Sequence, residues 1–142
     1  MSDSRFTFDH VHLISKDPKA SAQWYEEMFG AEIKAEYELR GAPQISVALG
    51  GMTVIIRGKR TGEDPVSTHG IQDFENYSSH NEWGTDHFGF IYHGDLLGFC
   101  EEIRHKGATF AIEPWEFSPG SLLCYVAAPD GVSIELIQAR DA

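Results

Sequence analysis

Two histidines of this chain occupy matching places in an internal repeat. An Asp-His dipeptide ends at His10 and again at His87, and a Gly-Ala dipeptide begins at Gly30 and again at Gly107. The spacing is 77 residues in both cases (87 − 10 and 107 − 30). Imidazole is the commonest metal ligand among protein side chains. A duplicated unit with one such residue in each copy therefore predicts a metal site that the two copies share.

A single carboxylate distinguishes the second copy from the first. The ends of the copies align with a spacing of 80 residues (135 − 55), so Glu135 stands where the first copy has Ile55. The apolar residues on either side of Glu135 favour the opposite face of a strand, so Glu135 is predicted to share a cavity with His10 and His87. A carboxylate there costs several kcal/mol unless it is paired or bound to a cation. These three residues are therefore predicted to hold a first-row transition metal ion, with open positions for substrate, water or dioxygen.

Hydrophobic periodicity predicts one strand–helix–strand–strand–strand order in both copies. The first repeat, about 5–58, has a helix between Asp17 and Gly30 and strands near 6–14, 31–39, 44–49 and 52–57. The second repeat, 85–140, has a helix between Asp95 and Gly107 and strands near 85–92, 109–112, 121–127 and 132–138. The sequence thus predicts a single α+β domain, 1–142, in which two βαβββ modules form curved mixed sheets around a metal-binding cavity. One helix is expected on the outer face of each sheet.

The connection 59–84 is rich in Gly, Ser, Asn and Asp. A segment of this length is either disordered or functional, as a lid or a subunit contact. His69 and His80 would supply acid–base chemistry if it folded over the cavity, although a surface position is expected for each, as it is for His93 and His105. Four aromatic residues are expected to pack in the core or, alternatively, to wall a substrate pocket: Phe6, Phe8, Trp115 and Phe117.

Composition limits the partners and the compartment. Acidic residues outnumber basic ones 22 to 11, for a net charge of −11, so neither nucleic acid nor an anionic membrane is expected as a partner. The sequence contains no apolar run long enough to span a bilayer and no apolar N-terminal stretch typical of a signal peptide, which predicts a cytoplasmic protein. Cys100 and Cys124 lack metal-ligand spacing and are expected to be reduced core residues, which fits the cytoplasm.

Several motifs together resemble the vicinal oxygen chelate superfamily. They are Asp9-His10-Val11-His12-Leu13, Asp17-Pro18, Trp24-Tyr25, Phe29-Gly30, Thr85-Asp86-His87-Phe88 and Ala128-Pro129-Asp130-Gly131-Val132-Ser133-Ile134-Glu135-Leu136. The superfamily includes glyoxalase I, fosfomycin-resistance transferases, methylmalonyl-CoA epimerase, extradiol dioxygenases and bleomycin-binding proteins. The resemblance covers nearly the whole chain. It implies the fold described above, with metal ligands at His10, His87 and Glu135.

The resemblance also bears on the reaction. Glyoxalase I and the epimerase carry a fourth polar residue where this chain has Ile55. Ring-cleaving dioxygenases and fosfomycin transferases use two His and one Glu, with a tyrosine at the place of Tyr125. The segment 113–119 is too acidic and apolar for a phosphonate. These features favour a ring-cleaving (extradiol-type) dioxygenase that uses Fe²⁺, with Mn²⁺, Zn²⁺, Ni²⁺ or Co²⁺ as alternatives.

Two residues are candidates for roles in catalysis. His12 shares the inner face with His10, where it would contact substrate or move a proton unless it is a packed polar residue. Tyr125 would hydrogen-bond a substrate oxygen, or is a buried tyrosine with an ordinary partner. Two other classes stay open: a glyoxalase-type lyase or isomerase, and a metal-free binding protein of the bleomycin-resistance kind. The expected substrate is a small molecule chelated through two vicinal oxygens. The expected assembly is a homodimer, with modules paired within one chain or exchanged between subunits.

Overall fold

The computed structural model describes residues 5–71 and 82–140 of the chain. The chain divides into two compact units, Met1–Pro65 and Val66–Ala142. The division falls inside the connection that the sequence places between its two repeats, so each unit contains one repeat.

The first unit is a four-stranded mixed sheet with one helix. Its elements in chain order are β1 (His10–Ile14), α1 (Pro18–Phe29), β2 (Glu32–Leu39), β3 (Ala42–Leu49) and β4 (Met52–Arg57). The strands lie in the order β1-β4-β3-β2, with β1 parallel to β4 and the other neighbours antiparallel. The helix begins where the Asp17 carboxylate accepts a hydrogen bond from the Ala20 amide at 3.1 Å. It ends at Gly30, whose φ of 70° is left-handed. Both predicted ends of α1 are confirmed.

The second unit repeats the arrangement. Its elements are β5 (Phe88–Tyr92), α2 (Leu96–His105), β6 (Thr109–Ser118), β7 (Ser121–Ala127), a short 3-10 helix (Pro129–Gly131) and β8 (Ser133–Gln138). The strand order is β5-β8-β7-β6, with β5 parallel to β8. The predicted α+β fold of two βαβββ modules is therefore confirmed.

The helix of each unit packs on one face of its own sheet. The apolar side chains that the helices bury are no more than 5% exposed: Ala22, Tyr25 and Met28 from α1, and Leu96, Cys100 and Ile103 from α2. Full burial of one large apolar side chain contributes about 1.5–3 kcal/mol. Because side chains alternate along a strand, the residues between those that face the helix point to the opposite, open face of the sheet.

The two cysteines lie in this core, as predicted. Cys100 of α2 and Cys124 of β7 are both buried and free, with their Sγ atoms 3.7 Å apart. A disulfide requires about 2.05 Å between the sulfurs, so the thiols pack side by side without a bond.

Three sequence expectations about strands and aromatic residues are wrong. β1 begins at His10 rather than at residue 6, and the side chains of Phe6 and Phe8 are 82% and 73% exposed rather than in the core. β6 extends to Ser118, six residues beyond its expected end at 112. Trp115 and Phe117 lie in that extension and are 38% and 42% exposed. Alternation of apolar residues cannot tell a strand that is covered on one face from an exposed edge strand, and β6 is an edge strand with several register shifts.

Part of the connection is ordered against the second unit. The Ile71 side chain is buried with Ile112, Leu123 and Tyr125, and the Ile71 amide donates to Ser133 Oγ at 2.9 Å. Ile71 thus packs against that unit, whereas Val66 and His69 are 89% and 72% exposed. Within 5–71 and 82–140, no helix is long and apolar enough to cross a membrane.

Candidate metal centre

The second unit brings two of the predicted ligands into contact on its open sheet face. Glu135 lies on β8 between Ile134 and Leu136, which are 0% and 3% exposed on the helix side. His87 directly precedes β5, the parallel neighbour of β8. Its Nε2 lies 3.2 Å from Glu135 Oε1, and the two side chains are 27% and 16% exposed. An imidazole nitrogen and a carboxylate oxygen therefore meet in a half-buried place.

Asp86 fixes the His87 ring from the other side. The Asp86 carboxylate lies 2.7 Å from His87 Nδ1, so both ring nitrogens of His87 face carboxylate oxygens. A neutral imidazole has one N–H and one lone pair, and therefore donates to only one of the two carboxylates. If Nδ1–H donates to Asp86, the Nε2 lone pair points towards Glu135. A cation shared by Nε2 and Glu135 would satisfy both groups.

The spacing of this pair fits a transition metal. Two ligands bound at about 2.0–2.2 Å, at angles from about 90° to 109°, lie about 2.8–3.6 Å apart. The 3.2 Å between His87 Nε2 and Glu135 Oε1 is inside that range. The donor types, imidazole and carboxylate, are those that zinc, iron and manganese accept in proteins.

Tyr125 and Gly89 shape the place where the two ligands meet. Tyr125 on β7 is the cross-strand partner of Glu135, is 3% exposed, and packs edge-on against the His87 ring with centroids 4.9 Å apart. Gly89 on β5 is the partner of Glu135 on the other side. A Cβ at Gly89 would lie 2.8 Å from the Glu135 carbonyl oxygen and 3.0 Å from its Cβ. The absence of a side chain at 89 therefore lets β5 lie close to β8 beside the carboxylate.

The remaining predicted ligand, His10, lies in the first unit at the start of β1. Its Nδ1 is 2.6 Å from the Asp9 carboxylate, an arrangement that repeats the Asp86 contact with His87. The His10 side chain is 37% exposed. The ring of His12 lies 6.1 Å from that of His10, measured between centroids. Burial lowers the pKa of His12 below its usual value, and the nearby His10 and Arg57 lower it further.

The predicted ligands are divided between the two units. Within the described ranges 5–71 and 82–140, no group of three or more His, Cys, Asp or Glu side chains is close enough together to hold a metal ion. His87 and Glu135 form a pair in one unit, and His10 with its own carboxylate partner lies in the other.

The other histidines lie away from this pair where the structure describes them. His69 is 72% exposed and pairs with Glu82 at 3.4 Å. His93 and His105 are exposed, as expected. His80 lies outside the described residues.

Sequence reasoning missed two residues that shape the site, Asp86 and Gly89. The repeated Asp-His dipeptide was the available signal for Asp86, since an acidic residue directly before each candidate ligand is well placed to hold its second ring nitrogen. Gly89 carries no such signal, because its importance depends on which strand lies beside β5.

Comparison with known proteins identifies the family. A profile of the Glyoxalase/Bleomycin resistance protein/Dioxygenase superfamily matches residues 7–136, so the chain belongs to that superfamily. A probable lactoylglutathione lyase of Synechocystis is 41% identical over 69 residues, which are 42% of this chain and 52% of that protein. The chain spans about half the length of the curated relatives that it matches.

Solved structures share the fold. The glyoxylase/bleomycin resistance protein/dioxygenase domain from Frankia superposes with a TM-score of 0.74 at 21% identity, covering 98% of this chain and 96% of that one. The fosfomycin resistance protein FosX from Listeria monocytogenes, in complex with Mn(II) and sulfate, superposes with a TM-score of 0.63 at 16% identity, covering 94% and 92%.

Proposed function

We propose that this chain is a divalent-metal-dependent enzyme, with His10, His87 and Glu135 as the metal ligands, and that it acts on a small molecule chelated through two vicinal oxygens. The observation that carries the proposal is the line of contacts from Asp86 through His87 to Glu135. A carboxylate that orients a metal-ligating histidine by its second nitrogen is the usual partner of such a ligand. The Mn(II) in the FosX complex supports a metal in this fold.

Each residue of the pair has a separate task in this proposal. Asp86 holds the His87 ring in the orientation, and the tautomer, that keeps the Nε2 lone pair available. Glu135 supplies one negative charge, and the Tyr125 ring limits rotation of His87 by packing against it. When bound, a divalent cation with one carboxylate ligand keeps a net positive charge and stabilises negative charge that develops on the substrate oxygens.

Among the reactions of the superfamily, we propose a proton-transferring lyase or isomerase of the glyoxalase type. The name of the Synechocystis relative supports this choice. His12 is the residue proposed to move the proton. It is the cross-strand partner of Ile55, the place where the resemblance to glyoxalase I implies a polar residue. An imidazole on β1 would then take over the role of a side chain on β4.

A ring-cleaving dioxygenase using Fe²⁺ is the second candidate. Ile55 supports it, because an apolar residue at that place can neither ligate a metal nor transfer a proton. In this case Tyr125 would hydrogen-bond a substrate oxygen. Mn²⁺, Zn²⁺, Ni²⁺ and Co²⁺ remain alternative metals for either reaction. We further propose a cytoplasmic homodimer, in which His10 comes from the same chain as His87 and Glu135 or from its partner.

Metal content after anaerobic purification tests the proposal. The wild type is compared with His10→Ala, His87→Ala and Glu135→Gln, and with His93→Ala as a control that removes an exposed histidine elsewhere. We expect stoichiometric metal in the wild type and the control, and a large loss in the other three variants. A wild type that binds no divalent metal, or a His87→Ala variant that binds it unchanged, would contradict the proposal.

The metal-loaded protein then separates the two reactions. Formation of lactoylglutathione from methylglyoxal and glutathione without oxygen uptake, abolished by His12→Ala, supports the lyase. Oxygen uptake on a panel of catechols, retained in His12→Ala, supports the dioxygenase. Strong ligand binding that survives His87→Ala would instead indicate the metal-free binding protein.

A further inference from the structure

A cavity lies on the open face of the first unit and extends from His12 to the end of β1 that is away from His10. Its volume is about 430 Å³, and it is lined by Ile14, Gln44 and Arg57, together with His12, Arg40 and Arg60. We propose that this cavity binds a carboxylate or phosphate group of an organic anion. Three of the 11 basic residues of the chain line it, although the chain as a whole carries a net charge of −11.

The positive charge in this cavity exceeds the negative charge beside it. Glu63 is the carboxylate that pairs with these arginines, at 3.3 Å from Arg57 Nη1 and 3.2 Å from Arg60 Nη1. Two of the three guanidinium groups thus share one carboxylate, and the Arg40 guanidinium is the third group that lines the cavity. A guanidinium has five N–H donors in a planar fork, so donors remain for a second anion. Their fork geometry matches a carboxylate or phosphate through two parallel hydrogen bonds.

The arginines are held in place before any ligand arrives. Arg60 Nε donates to the Arg40 carbonyl oxygen at 2.6 Å, and its backbone amide donates to Glu63 at 2.7 Å. The Arg57 side chain is only 15% exposed and extends from β4. Gln44 on β3 is the cross-strand partner of Arg57, is 5% exposed, and adds a side-chain amide to the cavity wall. Fixed donors lose little entropy on binding, which favours recognition of a specific anion.

The register of β1 gives the distance between this cavity and the proposed metal ligand. Ile14 is paired with Arg57, and His10 with Thr53, four residues earlier on both strands. At about 3.3 Å per residue, the Arg57 end of the cavity lies roughly 13 Å from His10, and His12, which also lines the cavity, lies between the two. A substrate of the proposed enzyme would therefore carry chelating oxygens at one end and an anionic group at the other. This description of the substrate rests on the proposed function, whereas anion binding by the cavity does not, because it needs no metal.

Anion binding is measured by NMR on the metal-free full chain at constant ionic strength, with inorganic phosphate and succinate as separate probes. We expect saturable shifts of the Arg57 Nε–H and Gln44 side-chain amide signals, with a dissociation constant of about 1 mM for the preferred probe. A response to phosphate alone identifies a phosphate group, and a response to succinate alone identifies a carboxylate. A response to both fits the shared chemistry.

Two substitutions should act in opposite directions. Arg57→Gln should weaken binding about tenfold, because a hydrogen bond to a charged group is lost. Glu63→Gln should strengthen it several-fold, because the competing carboxylate is removed. Lys34→Gln makes the same charge change as Arg57→Gln at an exposed place on β2 and should leave binding unchanged.

Three results would overturn the inference: no saturable shift with either probe, an equal loss in Arg57→Gln and Lys34→Gln, or weaker binding in Glu63→Gln. The variant His87→Ala should lose metal and keep anion binding. A failure of the metal proposal is therefore distinguishable from a failure of this one.

Discussion

The substitution Gly89→Ala tests whether the close approach of β5 to β8 sets the geometry of the His87–Glu135 pair. The added Cβ would lie 2.8 Å from the Glu135 carbonyl oxygen and 3.0 Å from the Glu135 Cβ. Neither atom is the end of a flexible side chain, so the conflict can be relieved only if one strand moves. A carbon and an oxygen in ordinary contact lie about 3.3 Å apart or more, which requires a shift of roughly 0.5 Å.

The magnitude follows from this shift. Overpacking of this kind costs about 1–3 kcal/mol in the free energy of unfolding. Alanine has less backbone freedom than glycine in the unfolded chain, which stabilises the folded state by about 0.4–1 kcal/mol. We therefore expect the free energy of unfolding to fall by about 1–2 kcal/mol in total. Metal ligands tolerate displacements of about 0.2 Å, so a shift of 0.5 Å between the strands that carry His87 and Glu135 should lower metal affinity about tenfold.

Urea unfolding and calorimetric titration with Mn²⁺ measure the two effects. Gly98→Ala is the matched control, since its added Cβ meets only the Asp95 carboxylate end, at 2.6 Å, and that side chain makes no capping hydrogen bond. Within α2 this control should gain up to about 1 kcal/mol. A Gly89→Ala variant as stable as the wild type would refute the steric argument. Lower stability with unchanged Mn²⁺ affinity would refute the link from strand spacing to the metal site.

Three further changes have expected outcomes. Asp86→Ala should lower metal affinity about 10–100-fold, because the partner that orients the ligating ring is lost; equilibrium dialysis measures it, and unchanged affinity would be inconsistent with the proposed role. Cys124 should resist alkylation in the native protein and react in urea, because it is buried and its contact with Cys100 raises the pKa of its thiol; rapid labelling of Cys124 in the native protein would contradict this. A hydrogen bond from the Arg60 amide lowers the pKa of Glu63 below its ordinary 4.5. Wild type should therefore be more stable than Glu63→Gln above that pH, and the difference in urea midpoint should shrink as the pH falls through the lowered pKa; a difference that grows at low pH would be the wrong sign.

The sequence predicts the fold well where several local signals agree. Asp17 and Gly30 mark the ends of α1 because a side-chain cap and a left-handed glycine act within one turn of chain. The predicted strand and core positions of Phe6 and Phe8 are wrong, because alternation of apolar residues does not show whether a neighbouring strand is present to bury them. β6 runs past its expected end because an edge strand tolerates a proline and polar residues that would end a central one.

In the candidate site, too, the residues with a local sequence signal can be predicted and those that depend on a neighbouring strand cannot. His87 and Glu135 are recognisable from the repeat, since each is a residue type suited to metal binding at a place that the repeat singles out. Asp86 could have been recognised as well, because it directly precedes the ring that it holds. Gly89 could not, because it matters only through β8, which lies beside it and is far away in sequence.

The two units share one strand arrangement but place different polar side chains at matching positions of their sheets. On matching rungs, His12 faces Ile55 in the first unit and Gly89 faces Glu135 in the second. Each rung thus holds one polar side chain that reaches over the open face, from β1 in one unit and from β8 in the other. The contact distances at Gly89 leave no space for a side chain there while Glu135 keeps its place. The asymmetry between the units is therefore one of strand spacing: the atoms that a Cβ at 89 would meet are the backbone oxygen and the Cβ of Glu135, which Ile55 also has, yet a histidine lies beside Ile55 and only a glycine fits beside Glu135.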